Sequence, residues 1–198
     1  MTKFVSDYLV IEGPDGVGKS TQIELLDKTI SDKHIIVREP SDSPVGVVYK
    51  NLVSKLTSPL QEMAFVFAAR YQLLLEKIIP ALADDTLVIS DRSVLSTFVY
   101  QYGLGINTEY MMFEKMFSTL KEIPGYKKPH TVLLLGPSHR PVNEEDTQDK
   151  FYRDFRDRIN SLYVNFVPIT SDTYTIVNTE NKSIEEIHEI ILKSIVLQ

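Results

Sequence analysis

Eight consecutive residues carry the strongest chemical signal in the chain: Gly13-Pro14-Asp15-Gly16-Val17-Gly18-Lys19-Ser20. They fit the spacing G-x-x-x-x-G-K-[ST], which a chain of this size matches by chance in roughly 1% of cases. Glycines at this spacing let successive backbone N–H groups turn inward around an anion. A helix starting at Lys19 adds the partial positive charge of its N-terminus. Lys19 then neutralises terminal phosphate oxygens, and the Ser20 hydroxyl can ligate Mg²⁺. The loop is therefore read as a site for a nucleoside triphosphate. Asp15 does not suit an anion cradle and is expected to face away from the phosphates. A nucleoside hydroxyl and bulk water are both open as its partner.

A second group lies further along. Asp91-Arg92 ends one apolar run, and Arg38-Glu39-Pro40 ends another. In a parallel sheet, ligands bind beyond the carboxyl ends of strands. There Arg92 can fork onto a phosphate, and Asp91 can hold Mg²⁺ or orient an attacking oxygen. An ion pair capping the next helix is the plainer reading. Ser96, Thr97, Tyr100 and Gln101 recur three and four apart, so they can share one polar strip. That strip suits a sugar and a base edge, or simply solvent. Phe65-Val66-Phe67-Ala68-Ala69-Arg70 sets aromatic rings and small alanines beside an arginine; alone, such rings are more often core.

These residues need elements to hold them. Tyr8–Glu12 reads as a buried strand, followed by the loop and then by a helix bearing Ile23, Leu25, Leu26 and Ile30. Further strands are expected at His34–Val37, Thr86–Ser90, His130–Leu135 and Thr173–Asn178. Ser43-Pro44 and Ser58-Pro59 are helix starts. The second opens a helix to about Leu82, bent or ended near Pro80 and roughly 35 Å long. Helices also follow from Val94 to Tyr102, from Asn107 to Lys121, from Gln148 to Phe166, and after the capping box Ser183–Glu186. Strands alternating with helices predict an α/β fold with a parallel sheet covered on both faces.

The 198 residues fit a single domain spanning 1–198. A net charge of −6 argues against a broad nucleic-acid-binding face. No cysteine is present, which excludes disulfides and thiol chemistry. No apolar run reaches the ~18 residues of a membrane span, and the first residues carry no signal-peptide pattern. A cytoplasmic location without membrane attachment is the expectation.

Taken together, the motifs resemble the thymidylate kinase family. The resemblance rests on Ile11–Thr21, Arg38-Glu39-Pro40, Ala68-Ala69-Arg70, Pro80-Ala81-Leu82, and Asp91-Arg92 with Ser96-Thr97 and Tyr100-Gln101. It implies a P-loop kinase fold: three layers, α/β/α, around a five-stranded parallel sheet ordered 2-3-1-4-5. It also implies γ-phosphate transfer from ATP to dTMP with Mg²⁺, and a homodimer. Gly13, Asp15, Gly16, Val17, Gly18, Lys19, Ser20 and Thr21 would bind ATP, with Ser20 and Asp91 at the metal. Asp15 would approach the sugar 3′-hydroxyl and Arg70 the thymine edge. Arg92 would meet the acceptor phosphate, Thr97 and Gln101 the base. Tyr100 would disfavour a ribose 2′-hydroxyl. Arg38, Glu39 and Ser96 complete the acceptor set, and Lys50 falls where relatives carry a phosphate-binding arginine.

Three departures stand out. Ser93 replaces a tyrosine or histidine. Val66 replaces the stacking phenylalanine four residues before the arginine. Phe67, about 60° from Arg70 around the helix against about 140° for Phe65, is the expected substitute platform. A changed platform permits other 5-substituted dUMP analogues. Gly16 stands where some relatives have arginine, so the extra positive charge is expected in a short lid, about 136–147, from Arg140 near His139. Two rivals remain. A deoxynucleoside kinase would use Glu39 as a base toward a 5′-hydroxyl. A nucleotide-binding regulator would bind ATP without turnover.

Overall fold

Alternation along the first strand sets up the architecture. In β1 (Tyr8–Glu12) every residue is buried. Tyr8 and Val10 enter the core on one face, Leu9 and Ile11 the core on the other. A strand of period two that is apolar on both sides must be covered on both. The computed structural model describes residues 3–40, 42–56, 58–104, 110–139, 150 and 153–197, with the backbone alone at 110–112.

β1 pairs in parallel with β3 (Leu87–Asp91) and β4 (His130–Leu135). β2 (His34–Arg38) lies outside β3, and β5 (Thr173–Asn178) outside β4. The order is β2-β3-β1-β4-β5, as the family resemblance implies. Register aligns Ile11 with Asp91 and Asp91 with Arg38. The carboxyl ends of three strands thus finish level, and the chemically marked residues gather along that edge.

One face is covered by α1 (Lys19–Thr29) and by the C-terminal helix α8 (Ile184–Ile195). Their Ile23, Leu26, Ile187, Ile191 and Ile195 pack on Leu9, Ile11, Val132 and Leu134. The other face holds α2 (Pro44–Leu52), α3 (Pro59–Leu73), α4 (Ile79–Ala83), α5 (Val94–Thr97) and α6 (Tyr110–Lys121). Met63, Phe67, Ile78, Phe98, Phe113 and Phe117 form its core. α7 (Arg156–Thr170) sets Ile159, Tyr163 and Val167 against Leu95, Val99 and Leu133.

The serine-proline starts behave as expected. Ser43 accepts the Gly46 amide at 3.0 Å and Ser58 the Gln61 amide at 3.3 Å. Ser183 and Glu186 form the reciprocal capping box. The long helix is less regular than its sequence suggests. Between α3 and α4 it widens into a π turn, Leu74–Ile78, which ends two residues before Pro80. Proline lacks an N–H and its ring crowds the carbonyl four residues back; a wider turn there relieves both. A second π segment, Phe98–Gly103, follows α5. α7 runs to Thr170, past the expected end at Phe166 and through Pro168. The carbonyl that Pro168 cannot bond belongs to Val164, whose side chain is exposed. The expected helix starts at Asn107 and Gln148 lie outside the described residues.

Candidate active site

The loop between β1 and α1 has the backbone its glycines allow. Gly13 has φ 141°, and a Cβ there would overlap the Leu134 carbonyl oxygen. Gly18 caps α1 with φ 99°, a left-handed conformation that glycine adopts without strain. Lys19 is only 7% exposed. Its ammonium donates to the Pro14 carbonyl at 2.8 Å and lies 3.9 Å from the Asp15 carboxylate. Burial, then the neighbouring Arg92 charge, pulls its pKa down to about 8. Val17 is a core residue, buried with Leu9 and Ile11.

Two clefts open along the carboxyl edge. The first, about 610 Å³, is lined by Gly16, Gly18, Lys19, Ser20, Thr21, Arg38, Asp91 and His139. The second, about 230 Å³, is lined by Glu39, Pro40, Tyr49, Val53, Glu62, Val66, Arg70, Ser93, Ser96, Thr97, Tyr100 and Gln101. Asp15 and Arg92 line both clefts. These two side chains form an ion pair, so the partition between the clefts is itself charged.

Arg92 is held from several sides. Its φ is 76°, left-handed for a non-glycine residue, a strained state that only surrounding contacts sustain. Nη1 donates to Ser96 Oγ at 2.8 Å, to Tyr163 Oη at 3.1 Å and to the Gly13 carbonyl at 3.4 Å; Nη2 donates to Asp15. The guanidinium carbon sits 5.6 Å from the Tyr100 ring centre. Next to it, Glu12 is fully buried and accepts five hydrogen bonds: from the amides of Gly13, Ser93 and Ser96 and from the hydroxyls of Ser93 and Ser96. A buried carboxylate needs this satisfaction. It fastens the first turn of α5 to the end of β1. Ser93 therefore has a local role: it bonds Glu12 and caps α5 through the Leu95 amide at 3.2 Å.

The deeper wall is built on a buried pair. Arg70 Nε donates to Glu39 Oε2 at 2.7 Å, while Nη2 donates to the Ser93 carbonyl at 3.0 Å and to Thr97 Oγ1 at 3.1 Å. Among the described residues, Arg70 Nη1 is buried with no partner. Burial raises the Glu39 carboxyl pKa, with Arg70 pulling it back. The Glu39-Pro40 bond is cis. Arg38 Nε donates to Asp91 at 2.9 Å, so Asp91 pairs with Arg38 rather than with Arg92.

The expected site residues divide accordingly. Gly16, Gly18, Lys19, Ser20, Thr21, Arg38, Asp91 and Arg92 meet in the first cleft. Glu39, Arg70, Ser96, Thr97, Tyr100 and Gln101 meet in the second. Phe67 requires a correction. It is 1% exposed and packs edge-on against Phe113, with Arg70 5.3 Å from its ring centre. Phe67 flanks Arg70 on the core side, while Val66, at four-residue spacing, takes the cleft side. Lys50 is exposed and outside both linings, while the preceding Tyr49 lines the second cleft. Arg140 lies outside the described residues. His139 donates its amide to the Gly16 carbonyl at 2.8 Å, which brings the chain after β4 against the loop.

Glu12 and Tyr163 were not singled out by sequence. An ionisable residue closing a wholly apolar strand is a signal for Glu12. Tyr163 sits in the apolar stripe Ile159–Tyr163–Val167, where spacing says only core. Among the described residues, no group of three or more His, Asp or Glu side chains could hold a metal by itself. The Ser20 hydroxyl and the Asp91 carboxylate share the first cleft. That all-oxygen set suits Mg²⁺, which is bound by one or two protein oxygens plus water and substrate phosphates.

The family model described as thymidylate kinase matches residues 11–191. A probable thymidylate kinase of Methanococcus aeolicus is 25% identical over 196 residues, covering 96% of each chain. A thymidylate kinase of Bacillus thuringiensis is 30% identical over 202 residues, covering 93% of this chain and 96% of its own. Among solved structures, thymidylate kinase from Ehrlichia chaffeensis superposes with a TM-score of 0.68 at 22% identity, covering 94% of this chain and 96% of that one.

Proposed function

The chain belongs to the thymidylate kinase family, and on that premise we propose that it transfers the γ-phosphate of ATP to dTMP, giving dTDP and ADP. The observation that carries the reading is the shared wall: the phosphate-loop cleft and the Arg70 cleft meet at Asp15 and Arg92. A donor phosphate on one side and an acceptor phosphate on the other would face each other across one guanidinium.

The reaction needs little covalent help. An anionic oxygen of the acceptor phosphate attacks the γ-phosphorus, and the bond from that phosphorus to the bridging oxygen of ADP breaks. Charge neutralisation and alignment then dominate. The loop amides and Lys19 hold the β- and γ-phosphates, while Arg92 fixes the acceptor phosphate. Mg²⁺ would be held through Ser20 and Asp91 and would neutralise charge on the donor phosphates. Arg70, through its partnerless Nη1, meets the base edge with Thr97 and Gln101, and Tyr100 and Asp15 meet the sugar. Arg140 remains the proposed lid arginine.

Glu39 speaks against the nucleoside-kinase rival. A base toward a 5′-hydroxyl must be available to take a proton, and this carboxylate is buried and bound to Arg70. The proposal includes a single kinase domain, a cytoplasmic setting and a homodimer, supported by the family resemblance. Among the described residues, no helix is long and apolar enough to cross a membrane.

Val66, Val53 and Tyr49 at the base end extend the proposal to dUMP analogues bearing 5-substituents other than methyl. The test is a panel of nucleoside monophosphates incubated with Mg-ATP, with products separated by chromatography. dTMP and 5-substituted dUMP should be converted, and purine and cytosine monophosphates should not. ATP bound stoichiometrically with no acceptor consumed would support the regulator instead.

A further inference from the structure

Tyr163 lies on α7, distant in sequence from every motif of the site. It is fully buried, yet its hydroxyl reaches the partition between the two clefts. Oη accepts from Arg92 Nη1 at 3.1 Å, donates to the Gly13 carbonyl at 3.1 Å and lies 3.1 Å from Ser96 Oγ. A phenol has one proton to give. Ser96 directs its own proton to Glu12 at 2.8 Å, so the chain of donors runs from Arg92 through Tyr163 to the phosphate loop. Burial, then Tyr100 and Glu12, hold the Tyr163 pKa well above its ordinary value, and the proton stays in place. The ring is immobilised by Leu95, Val99 and Leu133 on one side and meets Tyr100 edge-on at 6.2 Å.

α7 makes a second contact of the same kind. Two helical turns before Tyr163, Arg156 Nη2 donates to the Asp15 carbonyl at 3.0 Å and Nη1 to the Gly136 carbonyl at 3.2 Å. One helix therefore touches the loop at Gly13 and at Asp15, the residue that pairs with Arg92.

We propose that Tyr163 is the positioning residue of Arg92, its hydroxyl tying the guanidinium to the Gly13 carbonyl so that it faces the acceptor phosphate. This rests on the proposed reaction for the identity of the acceptor. It concerns only how the arginine is aimed, because Tyr163 itself is buried behind it.

Tyr163→Phe keeps the packed ring and removes only the hydroxyl. Titration calorimetry on the full chain should give a dissociation constant for dTMP about tenfold weaker than wild type, and one for Mg-ATP within about twofold. The fitted stoichiometry reports the folded fraction, so partial misfolding is not mistaken for weaker binding. In an Arg92→Ala background, Tyr163→Phe should weaken dTMP binding no further. Unchanged dTMP affinity would overturn the proposal. So would equal losses for dTMP and Mg-ATP, or a loss that persists in the Arg92→Ala background. A wild-type chain that binds dTMP but does not phosphorylate it would defeat the proposed reaction and leave this inference standing.

Discussion

Lys19 is the residue where environment and chemistry conflict most. An ammonium must carry charge to hold phosphate, yet burial first, and Arg92 second, depress its pKa to about 8. A lowered pKa means the charge is lost as pH rises through that value. kcat/KM for ATP, taken at dTMP well below saturation, reports the free enzyme, so it should fall about tenfold per unit above pH ~8. kcat reports the filled site, where phosphate charge restores the ammonium, and should stay level past that pH. A kcat/KM level to pH 10 would contradict the assignment. The same scale shows what sequence can convey. Lys19, Ser20, Arg92 and Arg70 stand out because charge or spacing marks them. Phe67 misled because an angle around a helix says how far a ring is from Arg70, not on which side the core lies. Tyr163 could not be found, since a tyrosine in an apolar stripe carries no record of where its hydroxyl points.

At the scale of elements, local rules served well where the interaction was local. The capping box at Ser183 is legible because both partners lie within one turn. Replacing Ser183 with alanine should cost about 1 kcal/mol in urea unfolding while leaving kcat unchanged, because α8 covers the sheet face remote from the Arg70 cleft. A full loss of folding, or no change in the unfolding midpoint, would contradict the helix assignment. The π turns escaped because a count of 3.6 residues per turn has no term for a widened one. Near Pro80 the cause is steric and was half visible as an expected bend. The segment Phe98–Gly103 contains no proline, yet it sets Tyr100 and Gln101 on the cleft beside Ser96 and Thr97. α7 also outran its expected end because one unbonded carbonyl, on the exposed Val164, is a small loss against the burial of Val167.

For the whole molecule, a parallel sheet followed from strands alternating with helices, but its order followed only from the family resemblance. Nothing in periodicity alone places β1 between β3 and β4. That placement brings Gly13, Asp91 and Arg38 to one edge, and it lets four residues from three separate stretches of chain converge on Arg92. The molecule is thus built around two clefts with one charged wall, and the central claim is that the acceptor arrives already bearing a phosphate. The direct measurement is the initial rate of product formation from Mg-ATP with dTMP and with thymidine, each supplied alone, followed by chromatography. dTMP should yield dTDP, and thymidine should yield dTMP at less than about a thousandth of that rate, since Glu39 is bound to Arg70 and not available as a base to its hydroxyl. Comparable rates for the two, or conversion of thymidine alone, would contradict the account.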